Sequence, residues 1–112
     1  MPNRSLSCRE PLPDGTVLYV KGGQYTIQKY ITSGGAALLY QAQKEGLIYP
    51  VLLKEYYPAR GYVRMGSAVL PEEAAFLPEE DPARKEKVDA MRERFETWAA
   101  REMRVGQESR RR

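Results

Sequence analysis

The chain has no histidine, a single cysteine and a single tryptophan. Without an imidazole there is no Ser-His-Asp or Cys-His triad, no histidine base and no histidine-rich metal site. The lone Cys8 excludes an internal disulfide and any multi-cysteine zinc site. No apolar run reaches the roughly 18 residues that a membrane-spanning helix needs. The segment before Lys21 also lacks the basic-then-apolar plan of a secretory leader. The expected location is therefore the cytoplasm, with no membrane partner. What is present describes a small globular domain of 112 residues, 42% hydrophobic and 29% charged, enough for one core and too few for two. The formal net charge of +3 is too mild to imply nucleic acid by itself.

Texture changes along the chain. Residues 1–11 carry Pro2 and Pro11 and no periodicity, so they read as a flexible lead-in. Residues 12–57 are rich in Val, Ile, Leu, Thr and Tyr, with breaks at Gly22-Gly23, Gly34-Gly35 and Glu45-Gly46. That is the texture of antiparallel strands joined by tight turns. Strands are predicted from Gln24 to Ile31, Ala36 to Gln43 and Ile48 to Tyr56, with Thr16 to Val20 as a short edge strand. Pro50 offers no N–H to a ladder, which confines it to a strand start or an edge.

Residues 58–81 contain a near-repeat, Leu70-Pro71-Glu72-Glu73 and Leu77-Pro78-Glu79-Glu80, and read as a solvated connector with room for one helical turn. Asp81 then suits an N-cap and Pro82 the first helical position. Val88, Met91, Phe95, Trp98 and Val105 follow at helical spacings, which predicts one helix over 82–109 with a single apolar stripe. The fold class is α+β: a twisted antiparallel sheet of three to four strands, a long connector and one packed helix.

Three features carry chemistry. Thr32-Ser33-Gly34-Gly35-Ala36-Ala37 lies between two predicted strands, where a glycine pair lets backbone N–H groups approach an anion such as phosphate. Taken alone, a plain glycine-bearing hairpin turn is the simpler account of it. Lys54 sits in the apolar strand Val51-Leu52-Leu53-Lys54, sharing a face with Leu52. A lysine in such a strand either seeks an anion or lies on the wet face of an edge strand. Glu102 falls within the arc of the helical stripe that also holds Met91 and Trp98. It is either a carboxylate aimed at a cation such as Lys54 or a residue beyond a helix that has already frayed.

Taken in order, Leu12-Pro13-Asp14-Gly15-Thr16-Val17-Leu18, Gln24-Tyr25-Thr26-Ile27, Ile31 through Tyr40, and Val51-Leu52-Leu53-Lys54-Glu55-Tyr56-Tyr57-Pro58 resemble the start of a bacterial serine/threonine protein kinase domain. In that family a strand, a Gly-rich loop and a second strand precede a Val-Ala-Ile-Lys strand, and a C helix follows. The resemblance covers 12–58 closely and 82–112 loosely, and it implies an incomplete kinase-like small lobe over 12–112. It implies that Lys54 holds the α- and β-phosphates of ATP and that Glu102 pairs with Lys54. Ser33, Gly34 and Gly35 would cover the phosphates, while Ile31, Leu39 and Leu52 would pack around adenine. Magnesium would come only with the nucleotide.

Departures from the family pattern weaken the implied ATP site. Thr32-x-Gly34-x-x-Ala37 replaces Gly-x-Gly-x-x-Gly, and Leu52 stands where a smaller alanine usually lies against the purine. No Asp-Phe-Gly segment follows, and a chain without histidine holds no His-Arg-Asp motif. The implied function is therefore that of a truncated or divided small lobe with weak ATP binding and no phosphoryl transfer on its own. The alternative is a non-catalytic, kinase-derived interaction module, whose partner is a missing large lobe, a second copy or another protein. A nucleic-acid role rests on residues 82–112, where ten basic groups interleave with six acidic ones. That mixture suits an ordinary solvated helix better.

Overall fold

A computed structural model describes residues 9–99. The strands are β1 (Val17–Val20), β2 (Gly23–Ser33), β3 (Ala37–Lys44), β4 (Pro50–Tyr56), β5 (Tyr62–Met65), β6 (Ala68–Pro71) and β7 (Phe95–Ala99). The helices are α1 (Glu72–Ala75) and α2 (Pro82–Arg92). Five strands form a curled antiparallel sheet in the order β1-β2-β3-β4-β7, and β5 and β6 form a separate hairpin. The architecture is a mostly-sheet α+β fold. No helix among the described residues is long and apolar enough to cross a membrane.

The strand alternation in the sequence becomes two unlike sheet faces. Tyr25 and Ile27 of β2, Leu38, Tyr40 and Ala42 of β3, and Val51 and Leu53 of β4 are buried on one face. Leu12, Tyr57, Val69 and Leu70 of β6, Met91 of α2 and Phe95 of β7 close the core over them. Among the described residues no helix or hairpin lies on the opposite face, which is polar at one end. There Gln41 donates to Gln28 across 2.7 Å. Pro50 opens β4, as its missing N–H requires.

One charge enters the core. Glu55 occupies the inward register of Val51 and Leu53 and is 2% exposed. Arg64 of β5 meets it with both ends of its guanidinium, Nη1 donating to Oε2 over 2.7 Å and Nη2 to Oε1 over 2.8 Å. The Tyr40 hydroxyl donates to Glu55 Oε1 over 2.8 Å and accepts the Leu12 N–H over 3.0 Å. Arg64 also donates from Nε and Nη2 to the Glu10 carbonyl, at 3.0 and 2.9 Å. A buried carboxylate is tolerable only when paired and hydrogen-bonded in this way.

Several expectations need correction. Residues 9–11 are not a loose lead-in, because Arg9 and Glu10 are hydrogen-bonded to distant strands and loops. The connector over 58–81 contains the β5–β6 hairpin as well as a short helix, since Val69 and Leu70 supply the apolar cover that the sheet needs. The sheet has five strands, not three or four. The helix predicted over 82–109 starts as expected, with Asp81 accepting the Ala83 N–H over 2.8 Å and Pro82 in its first turn, but ends at Arg92. Phe95 to Ala99 instead pair with β4, because that edge has backbone groups to satisfy and Phe, Thr and Trp favour strand geometry. Phe95 and Trp98, placed on one helical stripe by spacing, thus lie on opposite faces of a strand.

Two outcomes test the polar core. Arg64→Leu strands a buried carboxylate and should lower unfolding stability in urea by about 3–5 kcal/mol; a loss under about 1 kcal/mol contradicts the buried pairing. Burial, and then the neighbouring Glu55 charge, push the Tyr40 phenol well above its ordinary 10.0. The folded chain therefore keeps a proton that the unfolded chain releases. This contribution is intact below about pH 10 and declines above it by about 1.4 kcal/mol per pH unit. Urea unfolding from pH 9 to 11 should show wild type losing stability faster than Tyr40→Phe, and parallel profiles would contradict the assignment.

Candidate functional site

The glycine turn and the lysine strand come together on the uncovered face. Thr32 pairs with Leu39 across β2 and β3, and Leu39 pairs with Lys54 across β3 and β4. Gln41, Leu52 and Trp98 form the next row, while Lys54 continues to Glu96 of β7. Cross-strand partners share a face, so Thr32, Leu39, Leu52, Lys54, Glu96 and Trp98 all project to the same side. A trough of about 390 Å³ is lined there by Thr32, Gly34, Ala36 and Ala37 at the turn and by Leu38, Leu39, Leu52, Lys54 and Trp98 along the strands. That volume lies in the range of small-molecule sites.

Lys54 is the cation of the trough. β4 lies between β3 and β7, so Lys54 is not on an edge strand. Its Nζ is 3.6 Å from Glu96 Oε1, with side chains 44% and 62% exposed. It also lies 5.8 Å from the centre of the Trp98 ring. An exposed ion pair of this length contributes little, under about 1 kcal/mol. It leaves the ammonium open to a better anion. The carboxylate expected opposite Lys54, Glu102, lies outside the described residues, and Glu96 takes the partner position here.

The turn itself is sewn down. Gly34 donates its N–H to the Ala37 carbonyl over 2.9 Å, and its own carbonyl accepts Arg9 Nη1 over 2.7 Å. Arg9 reaches the Tyr57 carbonyl as well, at 3.0 Å. Tyr57 and Ala59 donate their N–H groups to the Ala36 and Gly35 carbonyls, at 2.9 and 3.2 Å. The turn is thereby tied both to the chain that follows β4 and to the first described residue. Yet neither Gly34 nor Gly35 has a positive φ, and a Cβ on either would meet nothing within 4 Å. Nothing in the described fold requires glycine at these positions. Of the two, Gly34 lines the trough.

Of the residues read from the sequence, Gly34, Leu39, Leu52 and Lys54 line one cavity. Ile31, Ser33 and Gly35 do not line it. Ile31 is 41% exposed at a register irregularity between Tyr30 and Thr32, and Ser33 pairs with Leu38. Arg9, Glu96 and Trp98 were not foreseen as site residues. Only long-range pairing and hydrogen bonding bring them here.

Chemically, the trough offers an apolar floor of Leu39 and Leu52, an aromatic wall and one loosely held ammonium. A flat apolar group joined to an anion satisfies all three. Neither a family model, nor a curated protein, nor a solved structure matches this chain.

Alanine at Gly34 or Gly35 should leave urea stability unchanged within about 0.5 kcal/mol or raise it slightly by reducing the freedom of the unfolded chain. Gly46, with φ +94°, is the contrast: alanine there should cost about 1 kcal/mol. Destabilisation by more than about 1.5 kcal/mol at Gly34 would mean that the fold itself needs this glycine.

Proposed function

We propose that the chain is the small lobe of a serine/threonine-protein-kinase-like protein and that its trough holds an adenine nucleotide weakly, without phosphoryl transfer by these residues alone. The single observation that carries this reading is the meeting of Gly34, Leu39, Leu52 and Lys54 in one cavity. Support also comes from element order: β2, the glycine turn, β3 and the lysine strand β4 follow the succession that the resemblance implies, whereas β5, β6 and α1 come before α2, and α2 covers the face opposite Lys54.

In this reading adenine lies on Leu39 and Leu52 with Trp98 beside it, and Lys54 takes the phosphates. The unfilled space at Gly34 and Gly35 lets the backbone come near them. Leu52 raises the floor and Thr32 narrows the turn, which keeps affinity low. Among the described residues no three Cys, Asp or Glu side chains are grouped to hold a metal ion. Magnesium would enter as part of a nucleotide complex.

Binding to the folded state raises the melting temperature by mass action. Mg-ATP at about ten times its dissociation constant should stabilise the domain by about 1.4 kcal/mol, a shift of roughly 5 °C or more. Lys54→Met should remove most of that shift, and no radiolabel should pass to a protein substrate. A wild-type melting curve unmoved at millimolar Mg-ATP, or moved equally in Lys54→Met, contradicts the reading.

A specific observation favours a second reading, a kinase-derived interaction module. Among the described residues Ile48 at the β3–β4 turn is 86% exposed and Phe76 after α1 is 87% exposed, two large apolar side chains that a partner could cover. On this reading Ile48→Ser with Phe76→Ser should convert a concentration-dependent assembly to monomer in sedimentation. A wild-type chain that is already monomeric at all concentrations removes it.

A further inference from the structure

Beside the trough lies a smaller depression of about 190 Å³, lined by Ala36, Ala37, Lys54, Tyr56, Arg94 and Glu96. Ala36, Ala37 and Lys54 belong to both, so the two spaces adjoin along the turn and the lysine. The second space therefore extends the trough at its charged end. It contains a cation, Arg94, that no local pattern in the chain places there.

Arg94 is held in position on three sides. Its N–H donates to the Met91 carbonyl over 3.0 Å, and its carbonyl accepts the Tyr56 N–H over 3.0 Å. Its guanidinium carbon lies 3.7 Å from the centre of the Tyr56 ring. That ring is in turn braced edge-on by Tyr62, with centroids 5.8 Å apart. Stacking occupies the faces of a guanidinium and leaves its edge donors available for two-point contact with an oxyanion. Among the described residues Arg94 takes part in no ion pair.

We infer that Arg94 is a second phosphate-binding cation, making this end of the trough selective for ligands that carry a di- or triphosphate. The inference rests on the nucleotide reading of the trough and adds a specificity to it. Lys54 and Arg94 flank the depression with Glu96 as its one acid, so the group carries a surplus positive charge. Glu96 acts as the occupant that a ligand replaces. Its exposed contact with Lys54 is long and cheap to exchange for a phosphate oxygen. A monophosphate needs only Lys54, whereas a chain of phosphates can satisfy both cations at once.

Calorimetric titration of the whole chain with adenosine, AMP, ADP, ATP and inorganic tripolyphosphate, at fixed magnesium and salt, tests this. Wild type should bind ATP roughly tenfold or more tighter than AMP. Arg94→Gln should weaken ATP and tripolyphosphate about tenfold and leave adenosine and AMP within about twofold. Arg94→Lys should recover part of the loss, and Glu96→Gln should tighten ATP. Melting temperatures near wild type would exclude a folding defect. If wild type binds ATP and Arg94→Gln binds it equally well, the inference fails and the nucleotide reading survives. If tripolyphosphate binds through Arg94 while adenosine and AMP do not bind and ATP gains nothing over tripolyphosphate, the second cation stands and the adenine site fails. Absence of any binding to wild type overturns both.

Discussion

Among the described residues, the two-pronged contact between Arg64 and Glu55 is the one ion pair with both side chains buried, and it joins three separate parts of the chain. Glu55 stands at a position where alternation along β4 calls for an apolar side chain, and it is 2% exposed. An isolated carboxylate there would be far too costly, so the fold supplies a full set of partners. Arg64 brings β5 over the core, Tyr40 donates a third hydrogen bond to the carboxylate, and the Glu10 and Leu12 backbones join the cluster. Replacing such a group with hydrocarbon of similar shape can be neutral, but removing one partner is expensive. The cluster thus specifies which segments meet more than it adds net stability.

The same pair sets the geometry of the candidate site through the pleat of β4. Consecutive residues point to opposite faces, so a Glu55 clamped inward obliges Lys54 to point outward. The lead-in that Arg64 holds at Glu10 also carries Arg9, which grips the glycine turn at the Gly34 carbonyl. One buried cluster therefore fixes the lysine from beneath and the turn from behind. Among the described residues no helix or hairpin covers the trough. Stored order on the core side leaves the functional side with loosely paired groups, among them the exposed Lys54–Glu96 contact.

Local signals in the sequence were legible where local physics decides structure. The four strands of the first half, the start of β4 at Pro50 and the Asp81-Pro82 helix start all follow from alternation, turn chemistry and capping. The end of α2 was not legible. Val88, Met91, Phe95 and Trp98 fit a helical period, and only the vacant edge of β4, nearly forty residues upstream, makes a strand the better use of Phe95 to Ala99. The β5–β6 hairpin was hidden for a related reason: its strands are four residues each, set among prolines and acids, and gain stability only by covering the core. In the site, the glycine turn and Lys54 could be singled out from the residues themselves, while Leu39 and Leu52 were named only through the family resemblance. Arg9 and Arg94 could not, since each owes its place to hydrogen bonds or stacking with residues distant in the chain.

The central claim is that the glycine turn and Lys54 form one ligand-binding trough on the uncovered side of the sheet. The most direct measurement is a ¹H–¹⁵N correlation spectrum of the labelled chain titrated with Mg-ATP. The account expects saturable shifts concentrated in the amides of Gly34 to Leu39 and Lys54 and in the Trp98 indole, with the amides of Val17 to Val20 unmoved. Shifts gathered instead around β1 and α2, or none at millimolar ligand, would contradict it.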